Sequence, residues 1–512
     1  MAIVRSVVDR TSERRRLSLA NPATLDSLGE IEVQSAAEVR DAVARSRKAQ
    51  PEWAALSFDQ RARYLRRALS ILLEEQDHYV DVIVSESGKP RTEALSMAIF
   101  AACDILTYYA KRAGRLLRPR KLRLHGVMRV MKRCRIVYRP LGVVGVITPW
   151  NGPFVLSLNP TAQALMAGNC VVLKPSEVTP RSGALIGELF RAAGLPEGVL
   201  EVVTGDGETG AALVEAGVDK ISFTGSVTTG RRVGEACARQ LIPCTLELGG
   251  KDPMIVCADA NLDRAAGAAV AGAFFNAGHY CSGTERVYVV ESVADEFTER
   301  VVERVGKLRQ GASGEFDVGS IFWQDQLEII DRHVKEAIER GARVLAGGRR
   351  HPELQGLFYE PTVLADVSHE MQVMSDETFG PVLPIMRVAD EDEAVRMAND
   401  CRYGLGAMVW TRDTRRGFEL ARRIDAGGVC INDMSMVYGV LEAPFGGMKE
   451  SGVGQVNGET GLKGYCFAQP ILTDRFGGRQ TAERYPYSAK ADEGLRRFAR
   501  TLYGGPLGRW LS

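Results

Sequence analysis

The chain lacks most of the features that would place it outside the ordinary soluble globular proteins. Its ten cysteines are spread over 512 residues with no C-x-x-C pair, so neither a disulfide scaffold nor a zinc ribbon is expected. Six scattered histidines contain no H-x-x-x-H pair, and no metal ligand set is expected. Reduced thiols point to the cytoplasm. No run approaches the roughly 18 consecutive apolar residues of a transmembrane segment. Arginines at the N-terminus have no apolar stretch behind them, and Asp9 and Glu13 sit among them, so neither a secretory signal nor a transit peptide is expected. Charge of one sign is missing too. The formal net charge is +1, which gives no overall field for nucleic acid or an anionic membrane.

What remains is ordinary globular composition, 45% hydrophobic and 25% charged, in a chain long enough for two or three domains. Residues 36–118 carry apolar positions at helical spacing. The basic, alternating stretch 120–140 reads as a hairpin of exposed strands, which need partners, another subunit included. A regular alternation follows. Apolar strands at 143–148, 170–174, 199–205, 220–225 and 244–250 are separated by helical segments, the pattern of a parallel sheet covered on both faces. Right-handed crossovers then give a Rossmann-like α/β layout. A second α/β region runs from about 251 to 432. The tail after 475 places Leu495, Phe498 and Leu502 on one face of a helix among arginines. That face suits peripheral membrane contact, or packing against the same chain or a neighbouring subunit.

Chemistry is suggested first by Cys281, set after a helix and a glycine turn in FNAGHYCSG. A cysteine alone is more often an inert small hydrophobe. Around it in order stand PWN (149–151), KPSE (174–177), FTGSVTTG (223–230), LELGGK (246–251) and ETFGP (377–381). The ordered set, with the strand–helix pattern between its members, closely resembles the aldehyde dehydrogenase superfamily over residues 20 to 475. Oxidising an aldehyde to an acid needs a nucleophile to form a tetrahedral adduct, donors for its oxyanion, a hydride acceptor and a base to hydrolyse the thioester.

The resemblance implies who does this. Cys281 is the nucleophile, Asn151 the oxyanion donor beside the Cys281 N–H, and Glu247 the general base. Read without the family, Asn151 fits a cap of the turn after Pro149–Trp150 equally well, whereas a surface carboxylate fits Glu247 poorly because its strand is otherwise apolar. For the cofactor, G-x-G-x-x-G is absent. Gly225, Ser226 and Gly230 resemble a variant in which Ser226 meets phosphate at a helix N-terminus. Lys174 and Glu177 are expected at the adenosine ribose, and Trp150, Ser176 and Leu248 along the cofactor. Glu377 is expected at the nicotinamide ribose, and Phe379 either near the ring or in the core. NAD is preferred over NADP because Glu177 would repel a 2′-phosphate, although Lys174 softens this.

The expected architecture is a dinucleotide-binding domain (1–118 and 141–248) and a catalytic domain (249–445). A β oligomerisation arm (119–140 and 465–485) for a homodimer or homotetramer and a C-terminal extension (486–512) complete it. Three positions depart from the family pattern. His279 stands where glutamine is frequent and either tunes Cys281 or fills the turn. Tyr280 shapes the acyl pocket. Val456 replaces a proton-relaying glutamate. Phe154, Leu158 and Tyr280 suggest an apolar aldehyde, aromatic or medium-chain. A CoA-acylating semialdehyde dehydrogenase and a non-catalytic homologue are the alternatives.

Overall fold

The computed structural model describes residues 15–434, 436–477 and 485–504, and the backbone of 5–8. Two parallel sheets dominate it. In the first, Val143–Ile147 lies at the centre, flanked on one side by Cys170–Lys174 and Leu200–Val202. On the other side lie Lys220–Thr224, Cys244–Glu247 and, antiparallel at the edge, Gly452–Val453. The five parallel strands therefore sit in the chain order 5-4-1-2-3. The order reverses between Val143–Ile147 and Lys220–Thr224. In open α/β sheets that switch point opens a crevice beyond the carboxyl ends of the strands. The loops that leave those two strands carry PWN and TGS.

The cause lies in the residues. Every position of Val143–Ile147 and Cys170–Lys174 is buried, so neither strand could face water. Helices cover both sides. Pro153–Ala167 is buried along its whole length, while Ala36–Ala55 and Phe58–Glu74 start at capping boxes of Ser35 with Glu38 and Ser57 with Gln60.

The second sheet has seven strands in the order Arg343–Ala346, Thr362–Ala365, Val382–Val388, Arg286–Val290, Pro253–Val256, Gly406–Trp410 and Gly428–Ile431, parallel except at its first pair. Arg343–Ala346 and Thr362–Ala365 were not anticipated. Both are four residues long, too short for an alternating pattern to stand out.

The basic stretch 120–140 is less regular than a simple hairpin. Arg120–Leu122 pairs antiparallel with Lys132–Pro140, a helical turn Met128–Met131 lies between them, and Cys466–Asp474 adds a third strand at the open edge. The helical stretch Arg91–Leu116 is long and apolar enough to cross a membrane by length and composition. Ile105, Leu106 and Tyr109 on it are nevertheless buried in the core with Leu65 and Leu165. In the terminal helix Ala489–Tyr503, Leu502 is buried while Leu495 and Phe498 remain about half exposed, at 47% and 49%. The tail beyond 504 lies outside the described residues.

Candidate active site

At the switch point a cavity of about 280 Å³ is lined by Trp150, Asn151, Gly225, Ser226, Glu247, Leu248, Cys281, Glu377 and Phe379. On the far side of Cys281 lies a second cavity of about 310 Å³, walled by Met97, Val155, Leu156, Phe275, Tyr280 and Met436 among others. Asn151 and Cys281 line both.

Cys281 follows a short 3₁₀ turn, Phe275–Gly278, in which Asn276 and Ala277 are left-handed (φ 56° and 53°) and Gly278 follows at φ 77°. A Cβ on Gly278 would lie 2.1 Å from the Gly380 carbonyl, so the turn is pressed against the backbone just after Phe379. Burial and the carboxylates of Asp252, Glu377 and Glu247 push the thiol up to about 12. The positive environment that would lower a thiol is not supplied by these side chains.

Asn151 donates through Nδ2 to the His279 carbonyl at 3.0 Å, and Asn276 Nδ2 donates to the carbonyls of Asn151 and His279, each at 2.9 Å. Glu247 ends its strand buried, with neither carboxylate oxygen hydrogen-bonded, and burial holds it well above the usual carboxylate range. A buried carboxyl without a hydrogen-bond partner at the cleft is a candidate for proton transfer.

The cleft also fits a dinucleotide. Ser226 caps helix Val227–Gln240, accepting from the Thr229 N–H at 3.3 Å, and so the helix N-terminus opens where an anion is favoured. A Cβ on Gly230 would meet Leu248 at 2.4 Å and one on Gly249 would meet Glu377 at 2.2 Å. Both glycines therefore let the cleft walls close in. Glu377 accepts from the Gly250 N–H at 2.9 Å and is pushed up to about 8, by burial first and then by Glu285.

Lys174, Ser176, Glu177 and Gly230 do not line this cavity. Lys174 ends the neighbouring strand, and its buried ammonium reaches Glu177 at 3.0 Å. Ser176 accepts from the Val178 N–H at 3.2 Å.

Phe154 and Leu158 stand apart from the substrate side. Phe154 packs on Tyr79, and Leu158 is fully buried in the core. Val155 and Leu156 face the apolar cavity in their place. On a helix buried all round, periodicity carries no sign of which face meets a cavity. His279 fills the turn: its ring is buried among Trp150, Phe322 and Phe379 (centroids 4.9, 4.7 and 5.8 Å), with no hydrogen bond to either nitrogen. Burial, then Lys89, lowers it to about 3, so it is neutral. Val456 packs with Leu405 and Phe445 in an apolar cluster that Cys281 touches.

Sequence reasoning missed one clamp. Lys251 Nζ meets Glu285 at 2.6 Å and the Thr378 hydroxyl at 3.1 Å, while Glu285 accepts from the N–H groups of Thr378 and Phe379 at 3.2 and 2.8 Å. It holds the segment that carries Glu377 and the left-handed Phe379. Lys251 closes the LELGGK motif, but nothing in the sequence joins it to Glu285.

Comparison with known proteins gives the same direction throughout. The model described as "Aldehyde dehydrogenase family" matches residues 8–471. The chain is 41% identical over 478 residues to 4,4'-diapolycopene aldehyde oxidase of Methylomonas sp, covering 93% of this chain and 89% of that protein. It is 40% identical over 448 residues to a Mycobacterium ulcerans (strain Agy99) protein with the provisional name succinate-semialdehyde dehydrogenase 2 for NADP(+), covering 87% and 86%. Among solved structures, the Mycobacterium tuberculosis aldehyde dehydrogenase complexed with NAD+ superposes with a TM-score of 0.85 at 34% identity, covering 91% of this chain and 96% of that one. An E. coli NADP-dependent enzyme does so with the same TM-score and identity, covering 93% and 98%.

Proposed function

The chain belongs to the aldehyde dehydrogenase family, an NAD(P)-dependent oxidoreductase, and we propose that it oxidises apolar aldehydes to acids through a thioester on Cys281. One observation carries this reading: Cys281 and Asn151 form the wall shared by the two cavities. A carbonyl carbon entering from the apolar side meets sulfur at the point where the cofactor cleft begins.

The Cys281 sulfur forms the bond to the carbonyl carbon once its proton has left, and Glu247, which lines the same cavity, is the base that takes it. The aldehyde oxygen becomes an oxyanion, stabilised by the Asn151 amide and the Cys281 N–H. A bound nicotinamide supplies the hydride acceptor. Trp150, Gly225, Ser226, Leu248, Glu377 and Phe379 would hold the dinucleotide in the cleft, with Gly230 behind Leu248. Lys174, Ser176 and Glu177 would take the adenosine end at the adjoining strand. Val456 offers no relay, so Glu247 passes the cysteine's proton to solvent before it draws another from the water that attacks the thioester. The C–S bond breaks, the acid leaves, and the proton now on Glu247 restores the thiol.

The substrate class follows from the second cavity. Among its described lining residues there is no lysine, arginine or histidine. A carboxylate at the far end of a semialdehyde would be stripped of water there without a counter-charge. Apolar aromatic or medium-chain aldehydes fit instead. For the cofactor, Glu177 already occupies the Lys174 ammonium, which favours NAD over NADP. The open edge at Cys466–Asp474, with Phe467, Ile471 and Leu472 exposed, supports assembly into a homodimer or homotetramer.

An aldehyde panel read by cofactor reduction, with NAD and then NADP, tests the reading, and product analysis with and without CoA separates hydrolysis from acyl transfer. Cys281→Ala is expected to abolish reduction while the protein stays folded. Unchanged turnover refutes the nucleophile.

A further inference from the structure

We propose that Glu93 is a positioning residue for this reaction, fixing the turn that carries Cys281 through one hydrogen bond to the main chain of Asn276. The inference rests on the roles given above to Cys281 and Asn151. It begins from an expensive arrangement. Three successive residues, Asn276 to Gly278, take left-handed backbone, two of them with side chains that disfavour it. Such conformations persist only where the surroundings over-determine them.

The Asn276 side chain supplies part of that constraint. Fully buried, it ties the carbonyl of Asn151 to the carbonyl of His279, and so holds the oxyanion donor and the nucleophile turn in one register. The Asn276 N–H supplies the rest. It is a buried main-chain donor that needs a partner, and it finds Glu93 Oε1 at 2.9 Å.

Glu93 itself comes from far away in the chain. It closes the helical turn Arg91–Glu93, directly before the π-helical segment Ala94–Phe100 that sets Ser96 and Met97 into the wall of the apolar cavity. Its other oxygen is buried and has no hydrogen bond. The counter-charge acting on it is Lys89, buried with its ammonium 5.2 Å from the Phe322 ring centre and 3.7 Å from Met97 sulfur. A buried carboxylate with one hydrogen bond is a poor device for stability. As a fixed point joining the substrate wall to the nucleophile turn, it makes sense: displacing a reacting group by about 1 Å can cost about 100-fold in rate.

The test uses the full chain with a medium-chain aldehyde and NAD. Glu93→Ala is expected to lower kcat about 100-fold while the dissociation constant for NAD stays the same, and Glu93→Gln, which keeps an acceptor oxygen, is expected to restore most of the turnover. Should the alanine variant fail to fold, Glu93→Asp replaces it. That change keeps the charge but withdraws the oxygen, and is expected to show the same loss of kcat. Full turnover in Glu93→Ala (or in Glu93→Asp where that stands in), a glutamine variant as impaired as the variant it should rescue, or a parallel loss of NAD binding each overturns the proposal. Cys281→Ala, run beside them, tests the reaction itself: if that variant still turns over, the reading of the site has failed whatever Glu93 shows.

Discussion

The side-chain amide of Asn151 lies 3.0 Å from the main-chain carbonyl of His279, and this bond sets the candidate oxyanion donor against the turn of the candidate nucleophile. Nδ2 carries two N–H groups, so one can hold the turn while the other meets an oxyanion. Asn151→Ala is therefore expected to cost about 2.7–4 kcal/mol of transition-state stabilisation, or 100- to 1,000-fold in kcat. Because Asn276 still holds the Asn151 carbonyl, NAD affinity measured by fluorescence titration should not change.

In the proposed reaction Glu247 serves the second half as base. With Glu247→Gln the sulfur can still be acylated by way of other bases, slowly, but water is no longer activated. A stopped-flow trace should show about one equivalent of reduced cofactor per subunit and then stall. Intact mass should show the acyl group on Cys281. Steady turnover at the parent rate would remove Glu247 from the base role.

Charge in the apolar cavity should redirect specificity. The parent is expected to prefer decanal to succinate semialdehyde. Met436 lines that cavity and is about half exposed, so an arginine there can be accommodated. Met436→Arg is expected to cut the kcat/KM ratio of the two aldehydes by about 10-fold or more, in favour of the charged one.

Much of this architecture was legible before any coordinates. Val143–Ile147 and Cys170–Lys174 announce themselves as apolar runs because a doubly covered strand has no polar face. The motif order places Cys281, Asn151 and Glu247, and the fold brings them to one crevice. Other parts could not be read. Lys251 and Glu285 are 34 residues apart and Glu93 and Asn276 are 183 apart, and no local pattern links such pairs. Phe154 and Leu158 were misdirected for a related reason: on Pro153–Ala167 every face is apolar, and only packing decides which residues meet the cavity.

His279 should make the protein acid-labile. Its folded form is lowered to about 3 from an ordinary 6.5. The stability gained by keeping it neutral is present above about 6.5 and is lost as pH falls from there towards 3, because the unfolded chain takes up the proton first. The slope is at most about 1.4 kcal/mol per pH unit for one proton. His279→Gln is expected to flatten the acid limb of the unfolding midpoint against pH, even if it lowers the midpoint itself.

Glu377 acts in the opposite direction. Its folded form is raised from 4.5 to about 8, so its contribution is fully present below about 4.5 and declines as pH rises through 8. Glu377→Gln should lose this alkaline dependence. Denaturant midpoints at pH 6 and 9, compared between parent and variant, check the sign.

Burial pushes the Cys281 thiol up, and that has a consequence outside the proposed catalytic cycle. Peroxides and electrophilic metabolites react with the anion rather than the thiol. The resting protein should therefore survive oxidative conditions that disable enzymes with a permanently ionised cysteine, its sulfur staying inert until a substrate calls on it.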